Sequence, residues 1–124
     1  MLKILMVFLG GGIGAAIRYK TSEYFNLIAG FFPFGTLFVN VLGSFIIGFI
    51  AALFLSHTNF SPNVKLLLTT GFCGGLTTFS TFAFESWNLF LDGEILKGII
   101  YIILNVILSI TAVILGVLLA KQLG

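Results

Sequence analysis

Charge is scarce in this chain: six Lys/Arg and four Asp/Glu serve 124 residues, of which 59% are hydrophobic. Soluble globular domains carry about 25% charged residues. With a mean hydropathy of +1.19, that class is excluded and the chain belongs in a membrane. The lone cysteine, Cys73, rules out both a disulfide framework and a cysteine metal cluster, and it reads as a small residue in a crowded part of a helix. A net charge of +2 is too small to point to nucleic acid. Nothing supports an enzyme: there is no nucleophile arrangement, no metal-ligating cluster and no nucleotide loop. The GGGIG run at Gly10 to Gly14 lies inside an apolar stretch and does not follow a strand. His57 reads as a solvated loop residue.

What is present is one apolar run after another. Charged residues divide the sequence into Lys3 to Arg18, the neutral run Tyr24 to Val64, Leu66 to Phe84, and Gly98 to Ala120. A spanning helix takes about 20 residues, so the second piece holds a loop and one span. The expectation is a single all-α transmembrane domain over 1–124, with four spans near 3–24, 33–56, 62–90 and 95–121. Short connections around Phe31-Phe32-Pro33, Ser56 to Pro62 and Asp92 to Glu94 make neighbouring spans antiparallel. Lys3 and the apolar run after it also fit a secretory leader with Ala15-Ala16 near a cleavage site. The glycine cluster, Arg18 and Lys20 suit a retained span better, so the expected location is the cell's inner (plasma) membrane, multi-pass.

With four spans, Lys3, Lys65 and Lys121 fall on one side and Arg18, Lys20 and Lys97 on the other. Orientation follows the Lys/Arg bias of short loops. Three against three gives almost no instruction, which points to insertion both ways and to an antiparallel, dual-topology homodimer. No internal inverted repeat builds such symmetry within one copy.

Polar and small residues recur at helical spacing. Gly10 and Gly14, with Gly11 and Ala15, give the first span a face that another backbone can approach closely. Arg18 lies one turn beyond Gly14 on that face and reads either as a functional charge or as a side chain snorkelling to the headgroups. Thr36, Asn40, Ser44 and Gly48 recur every fourth residue, as do Tyr101, Asn105 and Ser109. Asn40 presents a carboxamide that lipid cannot satisfy; it bonds another helix or donates to a permeating solute. So many stripes favour association with a second copy.

The third span contains GFCGGLTTFSTF, Gly71 to Phe82, a poor recipe for continuous helix and the most informative segment of the chain. A break near 74–78 frees backbone carbonyls, hard oxygen ligands for a small cation when two breaks face each other. Phe79 and Phe82 follow on one face with Ser80 and Thr81 between them. They are packing residues, or they present positive ring edges along an anion route. Glu85, one turn on, belongs either to such a route or to the interface beside Trp87.

GGGIGAAIRY, PFGTLFVNVLGSFIIG and GFCGGLTTFSTF, in this order over four short spans, closely resemble the Fluc (CrcB) fluoride channel family along essentially the whole chain. The resemblance implies an antiparallel dual-topology homodimer that passively exports fluoride through two pores, with a structural sodium ion (Na+) at the dimer centre. It implies that Phe79 and Phe82 are the pore phenylalanines, that Asn40 is the pore amide, and that Gly74 and Thr77 give sodium their backbone carbonyls. Arg18 would lie in the aqueous vestibule. Tyr101, Asn105 and Ser109 would form a polar track, where Asn at position 105 departs from the common hydroxyl. The alternative is a proton-coupled cation exporter of the small multidrug resistance type. That chemistry needs a membrane-embedded carboxylate, and the first span has none before Glu23.

Overall fold

The computed structural model describes residues 1–30 and 32–124, so Phe31, within the expected first connection, lies outside the described residues. Every regular element among the described residues is helical. The order is α1 (Leu2–Ala29), α2 (Phe34–Ser56), α3 (Pro62–Leu66), a π-helical stretch (Leu67–Cys73), α4 (Gly74–Leu76), α5 (Ser80–Leu91) and α6 (Ile95–Leu123). Among the described residues four stretches are long and apolar enough to cross a membrane, namely Leu2–Ala29, Phe34–Ser56, Pro62–Leu91 and Ile95–Leu123. The chain is a multi-pass membrane protein.

Local sequence explains where the helices stop. α1 runs past the expected Tyr24 to Ala29 because nothing in YFNLIA breaks it, and it ends where Gly30 adopts φ 66. Ser61 caps α3 by accepting from the Asn63 N–H at 3.2 Å, with Pro62 in the first turn. Gly93, at φ 77, lets the chain turn from α5 into α6.

The spans pack in pairs that run in the same direction. Asn40 of α2 meets Asn105 of α6 at a sequence separation of 65, and the same separation recurs where Gly48 lies against the Val113 backbone. Contacts that advance together along both helices mean parallel helices, as the second and fourth passes of an up-and-down chain must be. Gly116 closes the pair by seating on the backbone of Phe45 and Phe49. α1 pairs with the third span in the same way: Gly10 sits on Leu67 and Phe72, Gly14 on Phe72 and Leu76, and Gly75 on Gly11.

Lipid tails are as apolar as Leu, so burial alone does not drive helices together; close backbone approach does, through dispersion. The buried apolar cluster is correspondingly small, with Leu37, Phe82, Leu89 and Tyr101 packed by Phe32, Val41, Ile102 and Leu104.

These contacts separate neighbouring glycines. A Cβ on Gly14 would stand 2.7 Å from the Leu76 nitrogen, whereas one on Gly12 meets nothing within 4 Å. Gly14→Ala is therefore expected to destabilise the fold by about 1–3 kcal/mol through overpacking. Gly12→Ala should be neutral or better. Thermal unfolding of the two purified variants in detergent checks the contrast.

Candidate functional site

In hydrocarbon every backbone N–H and C=O must be paired within the protein, so the helix interruption at the middle of the third span can be followed group by group. Regular helix stops at Leu76, Thr77 is extended at φ −87 and ψ 158, and helix restarts at Ser80. In an unbroken α-helix the Thr78 N–H would return to the Gly74 carbonyl and the Thr81 N–H to the Thr77 carbonyl, four residues back. Neither does. The Thr78 N–H donates to Asn40 Oδ1 at 2.8 Å, and the Thr81 N–H donates to Thr78 Oγ1 at 3.1 Å. Asn40 Nδ2 donates to the Thr78 carbonyl at 3.1 Å, so one carboxamide serves both backbone groups of Thr78. Arg18 Nε donates to the Gly75 carbonyl at 2.9 Å.

The network continues into α6. Asn40 Nδ2 also donates to Asn105 Oδ1 at 2.9 Å, and Asn105 Nδ2 donates to the Tyr101 carbonyl at 3.1 Å. Glu85 is held from two sides, by Thr36 Oγ1 at 2.9 Å and by the Tyr101 hydroxyl at 2.7 Å. No buried side-chain nitrogen or oxygen among the described residues lacks a partner.

Beside this network lies an open concavity of about 660 Å³, whose wall includes Asn40, Asn105 and Ser109 together with Gly74, Thr77, Phe79 and Phe82. The two phenylalanines differ sharply: Phe79 is 78% exposed and Phe82 only 8%. Their ring centroids are 5.5 Å apart at 62°, and Phe82 in turn meets Tyr101 at 5.5 Å.

Ser44 and Cys73 also line that wall, whereas Tyr101, Ser80, Thr81, Arg18 and Glu85 do not. Tyr101 is fully buried behind it. Ser80 is exposed at the start of α5 with its hydroxyl 3.5 Å from that of Thr78, and Thr81 is half-buried. Arg18 is clasped to the third span through Gly75, and Glu85 is closed in by Thr36 and Tyr101. Sequence reasoning passed over Thr78. Its signal is faint but physical: it stands three residues before Thr81, the spacing at which a threonine caps a starting helix.

No group of three or more His, Cys, Asp or Glu able to hold a metal occurs among the described residues. A cation here would rely on backbone oxygens. The Gly74 and Thr77 carbonyls fit that use, because both have lost the N–H a helix would return to them and both residues line the concavity.

A family model described as "CrcB-like protein, Camphor Resistance (CrcB)" matches residues 5–117. A protein of Serratia proteamaculans (strain 568) named "Fluoride-specific ion channel FluC" is 45% identical over 116 residues, covering 94% of this chain and 91% of the relative. A protein of the same name from Rhizobium etli (strain CIAT 652) is 44% identical over 125 residues, covering all of both chains. Another, from Pyrococcus horikoshii, is 43% identical over 119 residues and covers 96% of each.

The enclosure of Glu85 yields a direct test. Tyr101→Phe and Thr36→Val each remove one donor from the carboxylate, and each is expected to cost about 1–3 kcal/mol, as for a buried acceptor left short of a partner. Because the two donors share one acceptor, the double variant should depart from additivity. Unfolding midpoints of the two single variants and the double in detergent check this.

Proposed function

The chain belongs to the CrcB family, and from that premise we propose that it is a passive fluoride channel of the plasma membrane, exporting fluoride from the cell. The observation that carries this reading is similarity over nearly the whole chain to proteins named fluoride-specific ion channels. That family is one of channels, and the protein is not an enzyme.

In this proposal two copies inserted in opposite orientations form the working unit. Gly74 and Thr77, whose carbonyls have lost their helical donors, line the concavity of a single copy, and unpaired backbone carbonyls do not belong against lipid. The Lys/Arg tally supports it as well. With Arg18 drawn against Gly75 inside the span, Lys3, Lys65 and Lys121 stand against Lys20 and Lys97, still a weak bias.

Fluoride is small and strongly hydrated. A route for it must replace water with several modest donors, because conduction needs binding weak enough to release. The edges of Phe79 and Phe82 and the Ser109 hydroxyl meet that need. Both hydrogens of Asn40 Nδ2 are already engaged, by the Thr78 carbonyl and by Asn105, so Asn40 serves the route by placing its neighbours. Where the two copies meet, the carbonyls of Gly74 and Thr77 would hold a structural sodium ion, which supplies a fixed positive charge between them. The cation-exporter alternative has little to stand on: Glu23 of α1 is paired on the surface with Lys20 at 3.0 Å, and Glu85 already accepts from two donors.

Fluoride efflux from proteoliposomes, with chloride and a lipophilic cation as controls, tests the function. Phe79→Ile and Phe82→Ile are expected to cut fluoride flux about tenfold while leaving assembly intact, the scale of losing an aromatic interaction near 1.4 kcal/mol. Unchanged flux in both would return the rings to packing. Orientation has its own readout: a terminal tag should react with an impermeant label from both sides of the membrane, and labelling from one side only would refute the antiparallel dimer.

A further inference from the structure

We propose that Thr78 and Asn40 are positioning residues for the cation: by capturing the N–H groups of Thr81 and Thr78 they keep the Thr77 and Gly74 carbonyls free to bind it. This rests on the sodium reading above and adds to it a reason why those two carbonyls are available.

A stretch of Gly and Thr lowers helix propensity by at most about 1 kcal/mol per residue. That loosens a helix and does not specify which carbonyls are released. The specification comes from side chains. Asn40 Oδ1, reaching across from α2, takes the Thr78 N–H at 2.8 Å that would otherwise return to Gly74. Thr78 Oγ1 takes the Thr81 N–H at 3.1 Å that would otherwise return to Thr77. Of the two carbonyls between Gly74 and Thr77, that of Gly75 is withdrawn in a third way, since Arg18 Nε donates to it at 2.9 Å. Gly74 and Thr77 line the open concavity, whereas Gly75 is pressed on the backbone of Gly11. The Thr77 hydroxyl is no competitor, because it donates back to the Cys73 carbonyl at 2.9 Å.

The chemical consequence is a competition. A carbonyl whose own N–H donor can return is partly quenched as a ligand, and one whose donor is held elsewhere offers its lone pairs to a hard cation. Thr78 thus acts on the cation through Thr81 and Thr77 without touching it.

The test follows the sodium concentration that half-maximally protects the full-length protein in detergent against thermal unfolding, with potassium and choline as controls. In Thr78→Val the acceptor is lost at nearly constant shape, and the half-maximal concentration should rise about three- to tenfold, the range commanded by one ordinary hydrogen bond. Thr78→Ser, which keeps the acceptor, should restore the wild-type value. Should the valine variant not assemble, Thr78→Asn and Thr78→Ala supply the same comparison of acceptor with non-acceptor. Sodium protection that is the same with and without an acceptor at position 78 overturns the positioning role and leaves the sodium reading standing. A wild-type protein that sodium protects no better than choline overturns the sodium reading itself.

Discussion

The backbone of Thr78 is the point on which the rest of the molecule depends. Leaving its N–H and C=O unpaired in a membrane would cost about 2–6 kcal/mol, at about 1–3 for each buried group. Asn40 removes that cost with a single carboxamide, and in doing so fixes α2 against the third span. Asn105 then fixes α6 against α2 through the same side chain. Arg18 does the equivalent for α1. α2 is therefore tied directly to the short non-helical stretch, α6 to it through Asn40, and α1 to the helical turn just before it, by hydrogen bonds that hydrocarbon, offering no substitute partners, makes hard to exchange.

Glycine contacts do the complementary work of shape. Gly10, Gly14 and Gly75 bring α1 onto the third span, and Gly48 and Gly116 bring α2 onto α6. Close approach is what lets the short side chains of Asn40 and Asn105 reach their partners.

Much of this is legible in the sequence because the bilayer imposes it. Four apolar stretches of spanning length admit almost no other fold, and GGGIG announces a close-packed face before any partner is known. The stripe of Thr36, Asn40 and Ser44 shows which side of α2 avoids lipid. What each stripe residue touches is not legible, because the partner lies elsewhere in the chain: Thr36 finds Glu85 at a separation of 49 and Arg18 finds Gly75 at 57. Thr78 was hidden for a different reason. In GGLTTFSTF a threonine reads as one more weak helix former, and its capping role exists only once the helix restarts at Ser80. The extension of α1 to Ala29 was missed because charge at Arg18, Lys20 and Glu23 marks a membrane boundary but does not end a helix.

The constant separation of 65 between α2 and α6 bears on how the gene can vary. One residue added between Asn40 and Gly48 would rotate everything beyond it by about 100°. Gly48 would leave Val113, and a larger residue would arrive in its place against backbone. Substitution on the lipid-facing sides is cheap by comparison. Length polymorphism should therefore be confined to the three connections between spans and to the chain ends, while the spans change in letter but never in count.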